Sequence, residues 1–215
     1  AVDFWQRFRD AVAASVPVAG FKHTTAHRMF PSQQKLFDAY TNAVANAVPH
    51  KTMRQRLIMA TGGGKTLVAY YIASHCWKAQ IRSSVVMVAP TLELIAQHQE
   101  SFHNWEALTG KTLIEFRTGE ETDKKGDVSY DSKRISPTNA DEFIAAFTNA
   151  TAAGGKVMIF VTYASLEKMC DALRDSGNAV DLMLCDEAHN LCTQTIEHRD
   201  HLLSIPARQF VALSA

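Results

Sequence analysis

The sequence predicts an α/β domain with helices on both faces of a mostly parallel sheet. From residue 56 onward, short apolar runs alternate with segments of helical periodicity. Runs such as SSVVMVAP at 83–90 and KVMIFVT at 156–162 are apolar nearly throughout, instead of alternating with polar residues. This pattern is typical of strands buried on both faces. The alternation therefore indicates a doubly wound arrangement.

The elements follow in chain order. Each strand is predicted where an apolar run falls, and each helix where apolar residues recur at helical spacing. We expect strands at 56–60, 83–90, 112–116, 156–162, 180–185 and 208–215, and helices at 65–79, 92–105, 140–149, 166–175 and near 195–203.

Two segments lie outside this rhythm. Residues 1–51 contain helical patterns at 2–14 and 33–48 and predict an N-terminal helical segment, which leaves 52–215 as the sheet domain. Residues 118–138 crowd charged side chains between glycines and a proline. Such a charge run usually belongs to a solvated face, so we expect a loop there.

Composition limits the function classes. The 215 residues are 47% hydrophobic, enough for one well-buried domain, and 22 basic residues balance 22 acidic ones. No basic bias points to nucleic acid, so that function must be argued from motifs. Four scattered cysteines without a CxxC pair favour reduced thiols inside the cell. No apolar run reaches the ~20 residues of a membrane span, and the first residue is alanine, so we expect a soluble fragment of a longer protein.

A glycine loop joins the first predicted strand to the helix at 65–79. Consecutive glycines let backbone amides turn around a polyphosphate, and the helix presents its positive end to the anion. Lys65 would reach the β and γ phosphates of ATP, and the Thr66 hydroxyl would bind Mg²⁺. Met59 stands where the full Walker pattern has glycine. The predicted ATP-binding residues here are Thr61, Gly62, Gly63, Gly64, Lys65 and Thr66.

A carboxylate pair follows the buried strand at 180–185. Parallel sheets bind ligands at the carboxyl ends of their strands, so we expect this DEAH box beside the glycine loop. Asp186 would hold Mg²⁺, and Glu187 would deprotonate the water that attacks the γ phosphate. His189 is interpreted as a link between the nucleotide site and a substrate surface. Zinc binding by His198 and His201 is disfavoured, because no matching cysteine or carboxylate ligands accompany them.

Together, ATGGGKT at 60–66, DEAH at 186–189 and LSA at 213–215 resemble motifs I, II and the start of III of superfamily 2 helicases and translocases. VAPTLELIAQ at 88–97 is similar to motif Ia. FVTYASL at 160–166 is similar to the TYxSL segment of the restriction-enzyme-like branch (types I, III and ISP). The resemblance covers about 30–215.

The resemblance implies a RecA-like domain of an ATP-driven motor on duplex DNA. Gln33 would read adenine, with Gln34 as the alternative, although Ser32 and Phe30 replace the family's aromatic and arginine. A second RecA-like domain, in the parent protein or a partner, would supply a catalytic arginine, so we expect weak hydrolysis by this chain alone. The resemblance further implies nucleic-acid contacts at Pro90, Thr91, Thr162 and Tyr163, and a coupling role for Ser214.

Three other function classes compete with a motor. A small-molecule kinase also uses a glycine loop with Lys and Thr but has no need of the DEAH or TYASL segments. A GTPase would need a guanine-reading NKxD box, which the sequence lacks. A nucleotide-gated binding or assembly module that never moves along or unwinds nucleic acid would have much the same motifs, and it stays the alternative to a motor.

Overall fold

A computed structural model describes residues 29–48, 51–79, 83–105, 108, 110–118, 132–152, 154–189 and 205–214. Within them, seven strands form one sheet in the order β1-β7-β6-β2-β5-β3-β4, and every neighbouring pair is parallel. The fold is therefore the predicted α/β class. The strands are β1 (Met53–Ile58), β2 (Ser83–Ala89), β3 (Thr112–Phe116), β4 (Ser132–Ile135), β5 (Lys156–Thr162), β6 (Val180–Cys185) and β7 (Ala207–Ser214).

Helices lie on both faces of the sheet. Along β2, Val85 and Met87 belong to one apolar core, whereas Val86 and Val88 belong to the other. The first core also contains side chains of α1, α2 and α3, and the second those of α4 and α5. The absence of polar alternation in the strands thus has its physical reason, because both faces are covered. The described helices are α1 (Pro31–Ala45), α2 (Lys65–Ala79), α3 (Leu92–Asn104), α4 (Ala140–Ala152) and α5 (Tyr163–Asp175).

The N-terminal helix α1 packs against the sheet domain rather than standing apart from it. It contacts β1 and α2, and the buried Tyr40 donates its hydroxyl hydrogen to Gln209 Oε1 at 2.7 Å. It spans Pro31–Ala45, whereas periodicity predicted a helix at 33–48. A division of the chain at residue 51 stays a prediction. The helices expected at 2–14 and 195–203 lie outside the described residues.

One prediction is wrong in part. The stretch 118–138 was expected to be a solvated loop, but β4 occupies Ser132–Ile135 and forms the edge of the sheet beside β3. Its charged residues obscured the strand, although an edge strand carries such residues readily. None of the helices within the described residues combines the length and apolar character that a membrane span needs.

A buried charge cluster holds β4 to β3. Ser132 Oγ donates to Glu115 Oε1 at 2.6 Å, and Arg117 Nε donates to Glu115 Oε2 at 2.7 Å. Burial acts to raise the pKa of the Glu115 carboxyl, but the hydrogen bonds from Ser132 and Arg117 outweigh it and hold the pKa below its usual value. The carboxylate is therefore ionised and contributes to stability at neutral pH.

We predict that Glu115→Gln lowers the free energy of unfolding by about 1.5–3 kcal/mol at pH 7, the range for hydrogen bonds to charged groups. A carboxyl with a depressed pKa stabilises the fold above its unfolded pKa of about 4.3 and loses that effect as pH falls through the lower folded value. The difference between variant and wild type in urea unfolding should therefore be constant from neutral pH down to about pH 5 and shrink below it.

The matched control is Glu142→Gln. Glu142 of α4 pairs with Lys133 of β4 at 3.1 Å, but both side chains are about half exposed. This substitution should cost less than about 1 kcal/mol. Equal costs for the two variants would contradict a special role for the buried cluster.

Candidate functional site

The glycine loop follows β1 and leads into α2. Gly62 and Gly64 have φ angles of +76° and +84°, which belong to the left-handed region that favours glycine. The Gly63 amide donates to Ala60 O at 2.9 Å, which closes a tight turn. Lys65 is the first residue of α2, so the loop lies at the positive end of a 15-residue helix. This is the strand, loop and helix context predicted for the phosphate loop.

Gln33 fastens this loop to α1. Its side chain is 2% exposed, its Nε2 donates to Gly63 O at 2.8 Å, and its Oε1 accepts from the Phe30 amide at 2.8 Å. The oxygen and one amide hydrogen of Gln33 are thus engaged within the chain. Its reading of adenine stays a prediction. Gln34, the alternative, is exposed and donates to Asp38 at 2.7 Å.

The carboxylate box begins where β6 ends. The Asp186 amide donates to Val88 O at 2.9 Å, which continues the pairing of β6 with β2. Oδ1 of Asp186 accepts from the Glu187 amide at 2.9 Å, and Oδ2 lies 3.0 Å from His98 Nε2. Burial acts to raise the pKa of the Asp186 carboxyl, but the hydrogen bond and charge of His98 outweigh it and hold the pKa below its usual value. Asp186 is therefore an ionised, oriented carboxylate.

An ion pair joins the two motifs. Lys65 Nζ lies 2.9 Å from Glu187 Oε1, with side-chain exposures of 11% and 27%. The glycine loop and the carboxylate box therefore face each other, as their positions in the sequence led us to expect. Glu187 has a φ of +49°, which costs a residue other than glycine about 1–3 kcal/mol. Such strain is common where a side chain is aimed at a functional site.

His189 and Ser214 meet beside this pair. Nδ1 of His189 lies 3.3 Å from Ser214 Oγ and 3.4 Å from Glu187 Oε2. Ser214 ends β7 and is buried, and its carbonyl accepts from the Met59 amide at 2.9 Å. The structure thus places His189 in contact with both Glu187 and Ser214. Their coupling role stays a prediction.

The predicted nucleic-acid residues fall at the starts of two helices. Pro90 follows β2, and Thr91 caps α3 by accepting from the Leu94 amide at 3.3 Å. Thr162 precedes α5, is buried, and donates its hydroxyl hydrogen to Ser165 Oγ at 3.4 Å. Tyr163 Oη donates to Asp186 O at 2.6 Å. Both helix starts lie at the carboxyl ends of neighbouring strands, so the four residues share one edge of the sheet.

The donor set fits a magnesium ion. The candidate ligands, the Thr66 hydroxyl and the Asp186 carboxylate, are hard oxygen donors of the kind that Mg²⁺ prefers. Among the described residues, no three His, Cys, Asp or Glu side chains form a group that could hold a metal ion alone. Mg²⁺ commonly binds through one or two protein oxygens and completes its shell with phosphate and water.

One site residue was missed from the sequence. His98 lies on α3 and contacts Asp186, but it belongs to no motif recognisable in the sequence. A signal existed, because His98 falls in the buried stripe formed by Ile95, Gln99 and Phe102. A histidine among core positions of an amphipathic helix must find a polar partner, and the nearest predicted one was the carboxylate box.

Comparison with known proteins gives a family. The family model described as "Type III restriction enzyme, res subunit" matches residues 26–215. No match was found among proteins of curated function.

Solved structures give the same fold. The type ISP restriction-modification enzyme LlaGI, solved with a DNA substrate mimic, is 18% identical with a TM-score of 0.67 over 88% of this chain and 17% of its own. The UvsW helicase of bacteriophage T4 is 13% identical, with a TM-score of 0.54 over 96% of this chain and 59% of its own. The SWI2/SNF2 ATPase core of Sulfolobus solfataricus, solved with double-stranded DNA, is 17% identical, with a TM-score of 0.53 over 91% of this chain and 33% of its own. At these identities the likeness establishes the RecA-like helicase fold, and the chain spans only part of each relative.

We predict that Gly64→Ala destabilises the protein more than Gly62→Ala. Both positions have positive φ, so both substitutions carry a strain of about 1–2 kcal/mol. At Gly62 an added Cβ meets nothing within 4 Å, whereas at Gly64 it collides with Gln33 Nε2 and displaces the contact with Gly63. Urea unfolding of the two variants measures the difference. Equal destabilisation would show that Gln33 yields freely and does not hold the loop.

Proposed function

The chain belongs to the family of the type III restriction enzyme res subunit, and from that premise we propose that it is the first ATP-binding domain of a motor that moves along duplex DNA. The family is one of helicase and translocase ATPase domains. The proposal assigns the ATP site to the glycine loop and the carboxylate box.

The ion pair between Lys65 and Glu187 carries this proposal. The two charged groups lie 2.9 Å apart, so each is the partner of the other. A bound polyphosphate carries several negative charges and is a stronger partner for Lys65. The Lys65 ammonium group therefore leaves Glu187 and contacts the phosphate oxygens. Glu187 then becomes a free carboxylate beside the γ phosphate. Nucleotide binding itself thus prepares the group that the reaction needs.

The metal site consists of Thr66 and Asp186. A Mg²⁺ ion held by these two residues would neutralise charge on the β and γ phosphates. Asp186 suits this task because its carboxylate is ionised and is fixed by the Glu187 amide and His98. Thr66 directly follows Lys65, so both residues lie in the first turn of α2.

In ATP hydrolysis, Glu187 is the general base. Its carboxylate accepts a proton from water as the water oxygen bonds to the γ phosphorus and the bond to the bridging oxygen breaks. His189 lies 3.4 Å from Glu187 Oε2 and 3.3 Å from Ser214 Oγ, which suits a link from the base to the end of β7. Brisk turnover also needs an arginine from a second RecA-like domain.

Duplex DNA is the proposed track. LlaGI and the Sulfolobus SWI2/SNF2 core were each solved with DNA, and each has the fold of this chain. The N-terminal amides of α3, near Pro90 and Thr91, offer a phosphate contact that needs no net positive charge. Tyr163 at the start of α5 would add a contact on the same edge of the sheet. This agrees with the balanced charge of the sequence.

We predict that Glu187→Gln lowers the rate of ATP hydrolysis by about 10²–10⁴-fold, the usual contribution of a general base. Nucleotide affinity should be equal to or greater than that of wild type, because the substitution also removes the partner that competes for Lys65. Titration with a fluorescent ATP analogue and a steady-state ATPase assay measure the two effects. Glu100→Gln, on the exposed face of α3, is the control and should change neither. Loss of both binding and hydrolysis in Glu187→Gln would contradict this assignment.

We predict that duplex DNA raises the ATPase rate of the full-length protein. Motion along DNA requires that each hydrolysis event depend on the track, so stimulation separates a motor from a nucleotide-gated binding module. The rate is compared with and without a duplex oligonucleotide, with Glu187→Gln as the blank for contaminating ATPases. An ATPase rate that changes neither with DNA nor with Glu187→Gln would favour the nucleotide-gated binding module.

A further inference from the structure

A buried histidine connects the helix α3 to the carboxylate box. His98 is 3% exposed, and its Nε2 lies 3.0 Å from Asp186 Oδ2. It lies seven residues after Thr91, which is about two helical turns and therefore on the same face of α3. The N-terminus of this helix carries the proposed DNA contact, and His98 lies at the end of its second turn. One rigid element thus extends from the proposed track to the proposed metal ligand.

The hydrogen bonding of His98 is incomplete. A carboxylate accepts, so Nε2 carries the hydrogen and donates to Asp186. The other ring nitrogen, Nδ1, is buried and has no hydrogen-bond partner among the described residues. A buried polar atom without a partner costs free energy, which an apolar residue at this core position would avoid. Stability alone therefore does not explain a histidine at this position. We explain it by a functional role of the hydrogen bond to Asp186.

A second bond reaches Asp186 from the other side. Tyr163 Oη donates to Asp186 O at 2.6 Å, and Tyr163 is the first residue of α5. Both helices that begin at proposed DNA contacts therefore hold Asp186, one at its carboxylate and one at its backbone carbonyl. Of the two residues, His98 is the one that is buried away from the track and acts on the carboxylate itself.

We propose that His98 is a positioning residue that couples DNA binding to nucleotide binding by transmitting a shift of α3 to the carboxylate of Asp186. The inference rests on the function proposed above. DNA phosphates bind the first turn of α3 and set the position of that helix. Because interiors are close-packed, α3 carries His98 with it, and the bond from Nε2 orients Oδ2. Asp186 then binds the metal and nucleotide with an affinity that depends on DNA.

Coupling of this kind is reciprocal, which allows a test by binding alone. If DNA tightens nucleotide binding by some factor, nucleotide tightens DNA binding by the same factor. In the full-length protein, the affinity for a non-hydrolysable ATP analogue with Mg²⁺ is measured with and without a duplex oligonucleotide, and the affinity for the duplex with and without the analogue. We expect a coupling factor of about 5-fold or more in wild type.

Three substitutions on α3 isolate the hydrogen bond. His98→Leu removes the donor and should bring the coupling factor to about 1, while each ligand alone still binds. His98→Gln presents an amide nitrogen near the position of Nε2 and should restore the coupling. His103→Leu makes the same change at an exposed position of the same helix and should leave the coupling intact. If His98→Leu does not fold, His98→Asn takes its place, since its amide is too short to reach Asp186.

The outcomes separate this inference from the function on which it rests. The inference is overturned if folded His98→Leu or His98→Asn keeps the coupling factor of wild type. It is also overturned if His98→Gln loses as much of the coupling as His98→Leu does. A wild-type protein that binds both ligands without coupling also overturns it and leaves nucleotide and DNA binding standing. A wild-type protein that binds neither ligand contradicts the proposed function itself.

Discussion

The burial of β6 between β7 and β2 is the constraint on which the site depends. Both faces of β6 are covered by apolar cores, and its register with both neighbours is parallel. Its last residue can therefore end only at the edge where β1, β2 and β7 also end. The glycine loop, the start of α3 and Ser214 lie at that same edge. Asp186 and Glu187 directly follow β6, so they lie at this edge beside the glycine loop, the start of α3 and Ser214.

At this edge of the sheet, polar side chains hold one another and the glycine loop in place. Gln33 joins α1 to the glycine loop, Lys65 pairs with Glu187, and His98 holds Asp186. Each contact connects elements that are distant in sequence. Loss of one contact should therefore affect ligand binding as well as local stability. The strained φ of Glu187 is consistent with a side chain aimed at a ligand rather than at its best local conformation.

Much of the fold could be predicted from the sequence, because apolar runs buried on both faces leave a strong signal. The strands at 112–116 and 156–162 coincide with β3 and β5. The pattern failed at β4, where Lys133 and Arg134 are exposed and Glu115, the buried partner of Ser132, lies 17 residues away in sequence. The glycine loop and carboxylate box were found from their motifs. His98 was not, because its partner lies 88 residues away and only the fold brings the two together.

We propose that the pair between Lys65 and Glu187 opens to receive the phosphates of ATP. A crystal structure of the protein with Mg²⁺ and a non-hydrolysable ATP analogue tests this most directly. We predict that the phosphates lie on the glycine loop, that Lys65 Nζ contacts them, and that it has left Glu187. An analogue bound elsewhere, or an intact pair beside a bound nucleotide, would contradict the claim.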